Sequence, residues 1–141
     1  MEKTFFPVKV KIRIDWSDLD YFGHVNNISI FKYFQTSRVK YLGRIGLFRL
    51  FRETNTGPIL ASSKGDFRQP LFFPGHITVQ SRVGFIRNTS FGIFHEIIDD
   101  KGHISAEGQD VIVVFDFDKN KKVAVPQKVR SLIERLEGKS F

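Results

Sequence analysis

The feature that most constrains the fold is an abrupt change of hydrophobic period near the start of the chain. Val8, Val10, Ile12 and Ile14 alternate with Lys9, Lys11 and Arg13, the period of two expected of a strand with one buried face. From residue 28 the spacing becomes helical. Ile28, Phe31, Phe34, Arg38, Tyr41, Leu42 and Ile45 share one broad face, against Ser29, Lys32, Thr36, Lys40 and Arg44 on the other. Gly46 can end this helix. About eighteen residues at roughly 1.5 Å each give about 27 Å, enough to run across a sheet.

The sheet is legible downstream. Strand patterns occupy residues 59–68, residues 77–85, where Ile77, Val79, Ser81, Val83 and Phe85 alternate with Thr78, Gln80 and Arg82, residues 91–98, and residues 104–117. Pro70 and Pro74 mark a gap, because proline cannot donate to a strand ladder. The Asp-Asp-Lys-Gly turn at residues 99–102 implies the second of two consecutive hairpins. Residues 118–122 read as a polar loop, and Pro126 precedes a short amphipathic helix carrying Val129, Leu132, Ile133 and Leu136. With no internal repeat, linker or low-complexity segment, residues 1–141 are expected to form one α+β domain.

Between the first strand and the helix lies D-W-S-D-L-D-Y-F-G-H-V-N-N, far more polar function than a connection needs. Asn26 or Asn27 suits the helix N-cap, which leaves outward backbone N–H groups at a positive helix end. An anion or a polarised carbonyl oxygen fits there. Gly23 supplies the freedom to fold Asp18 and Asp20 back toward the same point. A carboxylate beside oxyanion donors suits acyl transfer.

The string D-L-D-Y-F-G-H-V-N-N, preceded by V-K-V-K-I-R-I, resembles the hotdog-fold acyl-CoA thioesterases of the 4-hydroxybenzoyl-CoA thioesterase-like group. The likeness extends over nearly the whole chain, through R-Q-P-L-F-F-P-G, the N-T-S-F turn, V-I-V-V-F-D and V-P-Q-K-V-R. It implies a hotdog fold, an antiparallel β-sheet wrapped around one long central helix. It also implies a homodimer or homotetramer with active sites at the dimer interface, and an acyl-CoA substrate hydrolysed without a cofactor. Asp20 matches the catalytic carboxylate, as nucleophile or general base. Asn27 matches the residue whose backbone N–H faces the thioester oxygen, and His24 is a further catalytic candidate. Gly23, Val25, Asn26, Arg87, Thr89 and Ser90 are the implied substrate-binding positions: the turn holding the last three runs along the pantetheine arm, which Ser90 contacts, with Arg87 beside the phosphates or adenine. Asp15 and Asp18 read as structural, holding the loop through backbone hydrogen bonds.

Composition narrows the alternatives. The absence of cysteine excludes a disulfide framework, Cys-ligated zinc and a thiol nucleophile. It makes a cytoplasmic location the expectation. No apolar run approaches the roughly 18 residues of a membrane span, and M-E-K-T-F-F-P lacks a signal-peptide layout. His76, His95 and His103 lack metal-ligand spacing, and no Ser-His-Asp set is evident. Sixteen Phe predict a Phe-rich core, with an acyl pocket or subunit interface as further places for them. The formal charge of +7 is spread through the chain (Lys9, Lys11, Arg13, Arg44, Arg49, Arg52, Arg87, Lys119, Lys121 and Lys122). That suits a solvated surface or a phosphate-bearing ligand such as coenzyme A, and no motif points to nucleic acid. A hotdog hydratase or dehydratase using Asp20 and His24, and a module that binds acyl-CoA or acyl carrier protein without turnover, are the two rival readings.

Overall fold

The computed structural model describes residues 4–141; residues 1–3, which begin the stretch read above as lacking a signal-peptide layout, lie outside them. The alternating run at the start forms β1 (Val8–Arg13), followed by a 3-10 turn at Trp16–Asp18 and then α1 (Asn27–Arg44). The chain continues as α2 (Leu47–Thr54), β2 (Thr56–Phe67), β3 (His76–Ile86), β4 (Ser90–Ile98), β5 (Ile104–Asp116), β6 (Lys121–Lys122) and α3 (Gln127–Glu137). Every pairing is antiparallel, and the order is β1-β3-β4-β5-β2 with β6 on β5.

The two expected hairpins are β3–β4 and β4–β5. β2 follows the helices in sequence yet lies beside β5, at the opposite edge from β1. The helical segment must therefore carry the chain across the sheet, a width of roughly 19 Å for four strand spacings. α1, with eighteen residues, is long enough for that crossing. This is the hotdog arrangement, a curled antiparallel sheet around a long helix. Pro58 sits within β2 without penalty because β2 is an edge strand.

Apolar side chains gather in two clusters. One, under the C-terminal half of α1, joins Tyr41, Leu42 and Ile45 to Val83, Phe91, Ile93 and Ile112, and is closed by Val129 and Ile133 of α3. The other, under the N-terminal half, joins Ile30, Tyr33 and Phe34 to Ile14, Leu71, Val79 and Ile97. A buried polar chain lies at the middle of α1. Ser37 Oγ meets Ser81 Oγ at 2.5 Å, Ser81 Oγ meets His95 Nδ1 at 2.6 Å, and His95 Nε2 meets Asp110 Oδ2 at 2.7 Å. Arg38 and Ser63 donate to the same carboxylate at 3.0 and 2.6 Å.

Four expectations change. The predicted face of α1 is buried at Phe34, Tyr41, Leu42 and Ile45, but its first turn differs: Ile28 is 64% exposed and Ser29 is buried, with its hydroxyl toward Asp18. The core is built mainly of Ile, Val and Leu. Among the phenylalanines only Phe6, Phe34 and Phe91 are buried, whereas Phe5, Phe22, Phe51, Phe67, Phe72, Phe73 and Phe117 are exposed. α2 was not legible, since its eight residues are too few to display a period beyond doubt from a loop. The polar loop at 118–122 ends in β6, whose lysines pair with Phe115 and Asp116.

Candidate active site

The loop between β1 and α1 is built by its acids. Asp15 accepts the Ser17 N–H and hydroxyl at 2.9 and 2.8 Å, while Asp18 accepts the Asp15 N–H at 2.9 Å. The Ser17 N–H, then its hydroxyl, hold the Asp15 carboxyl below its usual range. Asp18 also accepts the Tyr33 hydroxyl at 2.7 Å and the Ser29 hydroxyl at 3.3 Å, which fastens the loop to the first turns of α1. Burial, with Asp18 holding the phenolic proton, pushes Tyr33 well above its usual range. Both acids are thereby committed to structure.

Asp20 is different. Its Oδ1 accepts the Phe22 N–H at 2.9 Å and the His24 N–H at 3.3 Å, an Asx-type turn, while Oδ2 has no partner among the described residues. The Asp20 N–H donates to the His24 carbonyl at 2.8 Å and Gly23 N–H to the Asp20 carbonyl at 3.0 Å. Gly23 completes this loop at φ 80°, where glycine carries no side-chain penalty. His24 pairs with Phe72 through its backbone and sets its ring edge-on to the Phe72 ring, centroids 5.1 Å apart.

Asn26 is the N-cap: its backbone is extended (φ −77°, ψ 161°) and its side chain accepts the Ser29 N–H at 2.9 Å. Asn27 is then the first helical residue. Its N–H and that of Ile28 have no acceptor among the described residues, so two donors remain open at the positive end of α1. Asp20, His24, Val25 and Asn27 line one cleft of about 380 Å³. Gly23 and Asn26 do not line it; they form the turn and the cap behind it.

Several walls of the cleft were not foreseen as site residues. Ile30 of α1, Phe67 at the end of β2, Arg68, Gln69, Pro70 and Leu71 of the β2–β3 connection, and Ser105 of β5 complete the lining. Val25 N–H to the Leu71 carbonyl, 2.9 Å, ties that connection to the loop. The R-Q-P-L-F-F-P-G string carried a signal for this wall; Ser105, a lone serine in a strand pattern, carried none. Arg68 is ion-paired with Glu107 at 2.8 Å.

Arg87, Thr89 and Ser90 lie elsewhere. They form the β3–β4 hairpin, whereas the cleft borders the other end of the sheet, roughly 26 Å away along β4 at about 3.3 Å per residue. Arg87 N–H donates to the Ser90 carbonyl at 2.7 Å, and its guanidinium lies over the Phe85 ring at 4.4 Å. Within this chain these three residues and Asp20 are not brought together.

A Ser-His-Asp chain does exist, contrary to the sequence reading, in Ser81, His95 and Asp110. All three are at most 1% exposed, and the Phe34 ring stacks on His95 at 5.1 Å. No substrate reaches this serine, so the chain fastens α1 to the sheet. Burial raises the Asp110 carboxyl, but the His95 contact and the Ser63 and Arg38 hydrogen bonds outweigh it and leave it below its usual range. Among the described residues, no three His, Asp or Glu side chains stand close enough to hold a metal ion, and no helix is long and apolar enough to cross a membrane.

Known proteins share this architecture. A thioesterase from Thermus thermophilus, solved with coenzyme A and zinc, superposes with a TM-score of 0.85 at 26% identity, covering 96% of this chain and 98% of that one. The PA5185 protein of Pseudomonas aeruginosa gives a TM-score of 0.80 at 28% identity, over 96% and 93% of the two chains. An uncharacterized Bacillus subtilis protein, YsmA, is 32% identical over 65 residues, a stretch that spans 46% of this chain and 43% of YsmA. The Thioesterase-like superfamily model matches residues 14–133, a span that holds the Asp20 loop, α1 and the whole β2–β5 sheet, and the chain belongs to that superfamily.

Proposed function

We propose that this protein is an acyl-CoA thioesterase in which Asp20 acts as nucleophile or general base and the Asn27 backbone N–H polarises the thioester carbonyl. One observation carries the reading: a carboxylate with a free Oδ2 and the open N-terminus of α1 share one cleft. In the general-base form, Asp20 takes a proton from water as its oxygen bonds to the carbonyl carbon. The developing oxyanion is held by the Asn27 N–H. The carbon–sulfur bond then breaks, and the thiolate of coenzyme A takes a proton from the Asp20 carboxylic acid. In the nucleophilic form the Asp20 carboxylate bonds to the carbon, the carbon–sulfur bond breaks to release the thiolate and leave a mixed anhydride, and water cleaves that anhydride to the free acid and the Asp20 carboxylate. Thiolate is a good leaving group, so neither form needs a strong separate acid. The Thermus thermophilus thioesterase solved in complex with coenzyme A supports the substrate class.

The site is completed in a dimer or tetramer. β2 pairs with β5 on one side only, and Phe67, Leu60 and Ile28 stand 54%, 43% and 64% exposed near that edge and the cleft. Long bare edges and exposed apolar side chains favour association. Thr89 and Ser90 then serve the pantetheine arm, and Arg87 the phosphates or adenine, at a cleft of the other subunit.

Thiol release from a panel of aliphatic and aromatic acyl-CoA and acyl-pantetheine thioesters tests the reading. Hydrolysis of one class by the wild-type protein is the expected result. Water addition to enoyl thioesters without thiol release supports the hydratase alternative, and tight binding with no reaction supports the binding module.

A further inference from the structure

We infer that Tyr33 is a positioning residue for the hydrolysis: by holding Asp18, its hydroxyl fixes the Asp20 carboxylate relative to the open N-terminus of α1. This inference rests on the thioesterase reading and adds to it a residue that does not touch the substrate.

The first ground is that Asp18 is the junction of the site. Its carboxylate accepts the Tyr33 hydroxyl at 2.7 Å, the Asp15 N–H at 2.9 Å and the Ser29 hydroxyl at 3.3 Å. Its carbonyl accepts the N–H of Asn26, the cap of α1, at 2.9 Å. Beyond that rung Leu19 bridges Val25, and the Asp20 N–H reaches the His24 carbonyl at 2.8 Å. The two arms of the loop are thus paired from Asp18 up to Asp20. This paired loop carries the carboxylate, whereas α1 carries the open Asn27 and Ile28 N–H groups. The separation of the two depends on how the loop is seated on the helix.

The second ground is where Tyr33 stands. It lies in the second turn of α1, and among the described residues no other side-chain hydrogen bond reaches the loop from beyond the first turn of that helix. Tyr33 is 5% exposed and packs with Ile14, Ile30, Phe34 and Leu71, of which Ile30 and Leu71 are walls of the cleft. A phenylalanine would fill the same apolar place. The hydroxyl adds only its bond to the carboxylate, which is of the strong, charge-assisted kind. Burying that hydroxyl without a partner costs free energy, so the side chain has one seat and imposes it on the loop. Where a carboxylate and oxyanion donors must meet one carbonyl group, misplacement by about 1 Å costs up to about a hundredfold in rate.

The test is Tyr33→Phe in the full-length protein, set against Ile133→Val. The latter trims a buried side chain in the cluster under the other end of α1, a modest loss of Tm that leaves the loop untouched. Both variants are assayed well below their Tm with the best thioester of the panel, and with its unreactive thioether for binding. Tyr33→Phe should lower kcat by about tenfold and leave KM and the thioether Kd within about twofold; Ile133→Val should keep the wild-type kcat. In an Asp18→Ala background, where the hydroxyl has no acceptor, adding Tyr33→Phe should change kcat by less than about twofold. Amide exchange gives a readout independent of turnover: the Asn26 and Ser29 N–H groups should exchange about tenfold faster in Tyr33→Phe, and those of α3 at the wild-type rate. Wild-type kcat in Tyr33→Phe, an equal loss in Ile133→Val, a loss confined to KM, or a full effect without the Asp18 carboxylate would overturn the inference. No thioester turnover by wild type would sink the hydrolase reading. Unchanged exchange in Tyr33→Phe would then sink the inference as well, whereas faster exchange at those two amides alone would uphold Tyr33 as the residue that seats the loop.

Discussion

Replacing Asp20 by Asn is the most informative single change, because the structure separates what the residue does for the loop from what it offers the substrate. Oδ1 holds the turn by accepting from Phe22 and His24 at 2.9 and 3.3 Å. The asparagine carbonyl can keep both bonds. What changes is Oδ2, which becomes an amide that neither takes a proton nor attacks a carbonyl. Loss of a general base or nucleophile costs at least about a hundredfold in kcat, or about 2.7 kcal/mol of transition-state stabilisation. The two retained hydrogen bonds weaken only from charged to neutral acceptors in an exposed turn, so stability should change by less than about 1 kcal/mol. Asp18→Asn is the control: three of its donors, from Asp15, Ser29 and Tyr33, expect a carboxylate, and its loss should appear in stability, at about 1–3 kcal/mol. Thiol release followed with a chromogenic thiol reagent, alongside urea unfolding, reads both quantities. Near wild-type turnover in Asp20→Asn would refute the assigned mechanism. A stable Asp18→Asn protein that is equally inactive would move the catalytic role to the wrong acid for this argument.

Other perturbations test the frame around the site. Asp110→Asn leaves Arg38 facing a neutral partner in a largely buried setting and should cost about 3 kcal/mol in urea unfolding. The folded-state Asp110 value is depressed below the ordinary 3.8, so its stabilisation is present above that value and is lost as pH falls through the lower folded one. Wild-type stability should therefore steepen downward in that acid window, where the groups facing Asp110 are His95, Arg38 and Ser63, and the Asn variant should lack that component. A Cβ on Gly108 would stand 2.6 Å from the Phe34 ring, so Gly108→Ala should cost about 1–3 kcal/mol, partly recovered by Phe34→Leu; an unchanged Tm would show that α1 sits less closely on the sheet. Light scattering at micromolar protein should report a dimer or tetramer, and dilution to monomer should abolish hydrolysis; a fully active monomer contradicts a site completed by a second subunit.

Much of the fold was determined by sequence alone, where a periodic pattern had room to repeat. The alternation through β1, the long α1 and the four long strands each hold enough residues for period and length to agree. The Asp20 turn and the Asn26 cap were legible for another reason: the hydrogen bonds of Asp20 to Phe22, Gly23 and His24 and of Asn26 to Ser29 join residues only two to four apart, so these residues carry their geometry in their order. Tertiary structure alone decided contacts that sequence separation conceals. Ser81, His95 and Asp110 are fourteen or more residues apart and meet only because β3, β4 and β5 lie side by side. In the first turn of α1, Ser29 lies buried against Asp18 from eleven residues away, where the apolar pattern alone would have buried Ile28. Ser105 became a wall of the cleft through a one-residue slip in strand pairing. A slip of that kind changes no composition or period; it exists only once two strands are paired, and pairing is a property of the folded sheet.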